Sequence, residues 1–227
     1  METTQNQAAR ILTNHLGKFG TVLPLHKDWI EQHTTYKLYP KNTYIHEEGS
    51  TAEQVFYICS GMLARVRYEE DPKTKNLKRQ IFSIGLPQMG MLSTEHLYTK
   101  SPNIGHIITL RPSLVVSIPY AKLKALKEND QLFNALMAAL SNKKKRQLSK
   151  LRRIAMIKDP ASIYIEFTKI FPDLNQILLQ EEKQDLLQIS RSTICRTNRF
   201  MVTGRNQRKD CVPKGRRRGK KKQRPLK

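Results

Sequence analysis

Acidic residues are scarce in this chain. Only 19 Asp and Glu face 41 Lys and Arg over 227 residues, a formal net charge of +22. An imbalance of that size points to a polyanionic partner, and nucleic acid is the commonest one. Cysteine is scarce too: Cys59, Cys195 and Cys211 are odd in number and far apart. That excludes a disulfide framework and the close pairs of a zinc or iron–sulfur site, and it suits a reducing cytoplasm. No apolar run approaches the roughly 20 residues that span a bilayer. The opening METTQNQAARILTNHLG has no apolar core of a secretory signal, so a soluble, cytoplasmic protein without membrane contact is expected. Glycine-rich phosphate loops are missing, the six histidines show no metal spacing, and no Ser-His-acid or Cys-His-acid set has local support. An enzyme is not expected, nor a metal or cofactor.

What is present changes character along the chain. Residues 1–35 look partly helical and carry the only tryptophan, Trp29. From about Tyr39, β-rich runs alternate with turn residues: Tyr44–His46, Val55–Cys59, Met62–Tyr68, Lys78–Ile84, Gly105–Leu110 and Leu114–Ile118. Glu48-Gly49-Ser50, Ser60-Gly61, Asp71-Pro72, Gly85-Leu86-Pro87 and Arg111-Pro112 punctuate them. Short strands at this spacing argue for an antiparallel sandwich or roll. Alternation in MLARVRY places Leu63 and Val66 near core faces, with Arg65 and Arg67 exposed or facing a pocket. Cys59, inside a β-run, reads as a small buried hydrophobe.

After Pro119 the period becomes helical. Ala121–Leu126 makes a short helix, and Asp130 caps a long one reaching about Lys158. Phe133, Leu136, Leu140, Leu148, Leu151 and Ile154 form a stripe that packs against a partner. The run Asn142–Gln147 interrupts it and reads as a solvated face, with a place beside a DNA backbone as the alternative. Asp159-Pro160 starts a further helix with Ile163, Phe167 and Ile170 inward, closed by Phe171-Pro172-Asp173-Leu174.

The segment LQEEKQDLLQISRSTICRT (Leu179–Thr197) carries the strongest signal. Gln180–Leu187 forms a short helix, Gln188-Ile189 the turn, and Ser190 caps a second helix. Leu186, Ile189 and Ile194 supply the apolar contacts of a helix-turn-helix. Ser190, Arg191, Ser192, Thr193 and Arg196 lie on or near the face that enters a major groove. The planar fork of arginine can bond guanine O6 and N7 together, while Ser and Thr suit phosphates or either base edge.

ISRSTICRT resembles the start of the recognition helix in Crp/Fnr regulators, and the upstream order of roll, long helix and Asp-Pro hinge agrees with it. Tyr39–Val66 (YPKNTYIHEEGSTAEQVFYICSGMLARV) is similar to that family's opening β-roll, Glu-Gly turn and Ser-Gly hairpin. The resemblance spans roughly Tyr39 to Arg196. It implies an α+β fold: an N-terminal antiparallel β-roll of jelly-roll type, a long dimerisation helix, and a C-terminal helix-turn-helix. The corresponding divisions are an effector-sensing roll at 1–128, a dimerisation helix at 129–158, a reader at 159–202 and a basic tail at 203–227. It further implies a homodimeric transcription activator, with double-stranded DNA and RNA polymerase as partners. Arg191, Ser192 and Arg196 would face bases, and Gln180, Ser190 and Thr193 would touch phosphate.

Two departures qualify the resemblance. Cyclic-nucleotide-binding members carry an arginine in a phosphate cassette; here the matching stretch, Gly85–Leu110, offers Gly90 and Ser93-Thr94-Glu95 but no arginine. The effector is therefore expected to be a small molecule other than cAMP, and the cysteines needed for an oxygen-sensing cluster are missing before Cys59. Secondly, Thr197–Val202 finishes the helix, and GRNQRKDCVPKGRRRGKKKQRPLK then replaces the two wing strands, leaving the wing incomplete or missing. Residues 199–227 hold 13 Lys or Arg against Asp210 alone, a charge density that favours disorder. The tail is either a basic extension adding non-specific DNA affinity or out-of-frame sequence that leaves DNA binding impaired. The competing function is a general nucleic-acid binder working through this tail, with the roll as scaffold.

Overall fold

A computed structural model of the chain describes residues 4–50, 53–71, 75–94, 101–102 and 104–204. Two helices come first. α1 (Thr4–Leu16) turns Ala8, Ala9, Leu12 and Leu16 inward at helical spacing, and α2 (Pro24–His33) begins on a proline, tolerated where the first turn has no acceptor for an N–H. The strands are β1 (Thr35–Tyr39), β2 (Tyr44–His46), β3 (Gln54–Glu70), β4 (Leu77–Gly85), β5 (Gly90–Leu92) and β6 (His106–Pro119). All pairings are antiparallel, in the order β1-β6-β3-β4, with β2 on β6 and β5 on β3. The architecture is α+β, an antiparallel sheet with several helices.

Ser60-Gly61 and Arg111-Pro112 are not the chain reversals expected from their residue types. β3 and β6 run straight through them, and both strands bend at the same place. Gly61 sits at φ +88°, and a Cβ there would lie 2.2 Å from Ser113 Oγ and 2.3 Å from Pro112 O. Only a residue without a side chain lets the two bends cross so closely. Ser113 Oγ completes the crossing by accepting from Met62 N at 3.0 Å. The bend also divides the core. Before it, Val55, Tyr57 and Cys59 pack under α1, while Phe56 and Ile58 face the roll interior with Leu63. Beyond it, Met62, Ala64 and Val66 cover the other side. Leu63 and Val66 are thus both in core, on opposite faces; Arg67 is exposed and Arg65 is buried. Cys59 is buried, and burial lifts its thiol pKa to about 12.

α3 (Tyr120–Asn129) leads into α4 (Gln131–Ala155). Asp130 caps α4, its Oδ1 accepting from Phe133 N at 2.9 Å, while Oδ2 meets His26 Nε2 at 2.7 Å and ties α4 to α2. Phe133, Leu136 and Met137 join the cluster under α1, and Ile154 joins the one beyond the bend. The apolar stripe is therefore largely spent within its own chain, with Leu148 exposed and Leu151 half-buried; the side chain of Leu140 lies outside the described residues. The Asn142–Gln147 run departs from a solvated face as well. Lys144 and Gln147 are buried, because α4 lies on the roll there and Lys144 Nζ donates to the Ile84 carbonyl and to Gln147 Oε1. α5 (Pro160–Ile170) starts as expected on Asp159, which accepts from Ser162 N at 2.8 Å. Tyr164 and Phe167 are its buried residues, and Phe171–Leu174 does not simply close it but opens a short helix, α6 (Pro172–Ile177).

Candidate nucleic-acid interface

Two short helices, α7 (Gln180–Leu187) and α8 (Arg191–Thr203), follow α6. Glu182 folds back to accept from Leu179 N at 2.8 Å, which satisfies one of the free donors at the start of α7. Gln188 ends that helix at φ +54°, and the buried Ile189 drops into the core between the two. Ser190 then caps α8, its Oγ accepting from Thr193 N at 3.1 Å and lying 2.8 Å from Ser192 Oγ. α8 buries Ile194 and Thr197 three residues apart, against α5 and α7. That spacing fixes the opposite face.

Ser190, Arg191, Ser192 and Arg196 are exposed on that outer face, and Thr193 is half-buried with its hydroxyl 2.9 Å from Ser190 Oγ. Gln180 is half-buried and occupied: its Nε2 donates to Cys195 Sγ at 2.9 Å, so its amide braces α8. Arg199, three residues beyond Arg196 and exposed, extends the basic face by a further turn. Helical spacing within the sequence was sufficient to find it. α8 runs to Thr203, and Gly204 closes it at φ +65°. The stretch 205–227, with the basic tail and Cys211, lies outside the described residues, as does Glu95.

α7 presents Glu182 and Asp185, two of its three acids, to the roll. Arg79 Nε on β4 meets Asp185 Oδ2 at 2.7 Å, and Arg111 on β6 grips Glu182 with both terminal nitrogens, at 2.5 and 2.9 Å. Arg111 also donates to the Ile177 carbonyl at 3.0 Å. Burial works against ionised Glu182, yet Arg111 and the Leu179 N–H hold its pKa below the usual carboxylate range. At Asp185 burial wins over Arg79, and its pKa is raised. Both arginines bracket the stretch that lacks a cassette arginine, and nothing local in the sequence marks them as partners of α7. Around these pairs, Val66, Ile81, Ile84 and Ile108 of the roll share one apolar cluster with Leu174, Leu187, Ile189 and Ile194. The result is a short basic, hydroxyl-rich helix face turned outward, with the carboxylates of Glu182 and Asp185 drawn towards the roll.

No protein-family model matches the chain, and no curated protein does. Solved structures do. A cyclic nucleotide-binding domain-containing protein from Listeria monocytogenes superposes at a TM-score of 0.59 with 18% identity, covering 85% of this chain and 89% of that one. The regulator CLP of Xanthomonas campestris, described as c-di-GMP responsive, gives 0.56 and 16%, covering 78% and 91%. A protein from Eubacterium rectale described as a transcriptional regulator of the Crp/Fnr family gives 0.52 and 18%, covering 81% and 85%. The chain has the fold of Crp/Fnr-type transcription regulators. Among the described residues, no helix is long and apolar enough to cross a membrane.

Proposed function

We propose that this chain is a dimeric, sequence-specific DNA-binding regulator that activates transcription with RNA polymerase as its partner, under control of a small effector other than cAMP. The observation that carries the reading is the outer face of α8: Ser190 caps the helix, Ile194 and Thr197 anchor it, and Arg191, Ser192 and Arg196 point away from the protein. Those residues suit base edges, with Ser190 and Thr193 at phosphates. Gln180 has the second N–H of its amide for phosphate while the first holds Cys195. Division into a sensor (1–128), a dimerisation helix (129–158), a reader (159–202) and a basic tail (203–227) belongs to the same proposal. Leu132 and Leu148, exposed on α4, and half-buried Leu151 are among the apolar residues left for a second copy.

A nucleotide-resolution footprint on genomic fragments tests this. Two protected half-sites about one helical turn apart are expected. Equal affinity for a palindromic duplex and for bulk DNA would overturn the reading in favour of a general binder acting through residues 205–227.

A further inference from the structure

α4 carries seven Lys or Arg between Lys143 and Arg153, and no Asp or Glu anywhere in its 25 residues. Four of the seven have partners within the chain. Lys144 donates to the Ile84 carbonyl, and Lys143 to the Pro87 carbonyl at 3.2 Å. Arg153 meets Glu166 at 3.7 Å, and Lys150 stands over the ring of Phe171. Lys145, Arg146 and Arg152 are exposed, and among the described residues no carboxylate pairs with them.

The helical repeat decides where these three cations stand. Phe133, Met137, Lys144, Gln147 and Ile154 turn α4 towards its own chain. Lys145, Leu148 and Arg152, three and then four residues apart, form a stripe on the solvent side. That spacing is the one by which two parallel helices meet. Continued along α4, the stripe takes in Asn134, Ala138, Ser141 and Ala155, so Leu148 is its only large apolar residue. A second copy set against it by a two-fold axis along the helices places Lys145 opposite Lys145 and Arg152 opposite Arg152. Axes about 8–10 Å apart bring these like charges close, with no carboxylate of α4 to separate them.

We propose that the two facing stripes form a binding site for a short chain of condensed phosphates, which bridges the copies of α4. Lys145 and Arg152 are seven residues apart, about 10 Å along the axis at about 1.5 Å per residue. A single phosphate reaches one of these levels; a linear oligophosphate reaches both. Each Arg152 offers a planar fork that matches two phosphate oxygens, and each Lys145 offers a point charge. Ser149, exposed one turn beyond Lys145, adds a hydroxyl between the two levels. The site lies on the outer side of α4, away from buried Lys144 and the roll. It rests on the dimeric reading proposed above, because one copy holds only half of it.

Sedimentation equilibrium of the full chain without DNA tests it, comparing potassium chloride, orthophosphate and inorganic tripolyphosphate at equal ionic strength. Tripolyphosphate should tighten the dimer at least about tenfold over chloride, and orthophosphate should tighten it less. Lys145→Gln combined with Arg152→Gln, both at exposed positions, should dimerise at least about tenfold more tightly than wild type in chloride. The same double variant should lose the response to tripolyphosphate. A response that it keeps places the anion on other cations, such as those of residues 205–227, and overturns the proposal. So does orthophosphate acting as strongly as tripolyphosphate. A dimer indifferent to tripolyphosphate overturns the proposal and leaves the dimeric reading intact, whereas a chain that is monomeric in every arm, double variant included, overturns both.

Discussion

Replacing Arg111 by Met removes the firmest polar tie between the roll and α7. Its partner Glu182 keeps only 4% of its side chain exposed, and after the substitution it retains the Leu179 N–H alone. Stripping one partner from a fully buried pair costs about 3–5 kcal/mol, most of it the penalty for the charge left behind. Arg111 itself is 28% exposed, so water screens part of the interaction. A cost of about 2 kcal/mol is the reasoned value, read as a Tm fall of roughly 4–8 °C for a chain of this size. Glu182→Gln in the Arg111→Met background removes the stranded charge, and the double variant should recover about half of the loss.

The pH dependence supplies an independent check. In the native protein Glu182 has a depressed pKa, so its contribution is present above the ordinary carboxylate pKa and is lost as pH falls through the folded value. Without Arg111, burial is left as the dominant influence and raises that pKa. The deficit of Arg111→Met relative to wild type should therefore be largest near neutrality and shrink as the solution is acidified through the carboxylate range. Equilibrium urea unfolding at a series of pH values measures both effects. A loss below about 0.5 kcal/mol at pH 7, together with strict additivity in the double-mutant cycle, would refute the claim that this pair holds α7 on the roll.

Arg196→Ala should weaken binding to the specific duplex by about 1–3 kcal/mol while changing affinity for bulk DNA little, as competition titration would show. Ser190→Ala removes the cap of α8 and should cost about 1 kcal/mol in urea unfolding. Gly61→Ala forces a Cβ into Ser113 and Pro112 at positive φ, and should cost about 3 kcal/mol by the same measurement. At pH 8 a maleimide should label exposed Cys195 and spare Cys59, whose buried thiol stays protonated, and specific DNA should protect Cys195, as peptide mass spectrometry would record.

How far the sequence could be read depended on the range of the interactions involved. The helices α7 and α8 were legible because their signals are local: Ser190 lies three residues before Thr193, and Ile189 and Ile194 mark the apolar side of two short helices. Asp130 and Asp159 were legible as caps for the same reason. Ser60-Gly61 misled because a glycine beside a serine reads as a turn, whereas this glycine answers to Ser113, more than fifty residues away. Lys144 misled because its acceptor is a strand carbonyl sixty residues earlier, invisible to a helical charge pattern. β1 precedes the expected onset of strand because TYKLY is half-exposed and lacks clean alternation.

The same distinction bears on how a signal could cross this molecule. α4 is tied to the roll near its start by Phe133, Leu136 and the Asp130–His26 pair, and midway by Lys144. The helices α7 and α8 are tied to the roll by Arg79, Arg111 and the apolar cluster around Val66, Ile84 and Leu187. α4 and α7 thus rest on neighbouring parts of one strand: Ile84 gives its carbonyl to Lys144 and its side chain to the cluster that holds α7, five residues along β4 from Arg79. A change in the roll interior at Arg65, which pairs with Ser83, need travel only one residue along β4 to meet both. Coupling between the roll and the helices α7 and α8 then requires no long relay; it requires a single strand that two helices share.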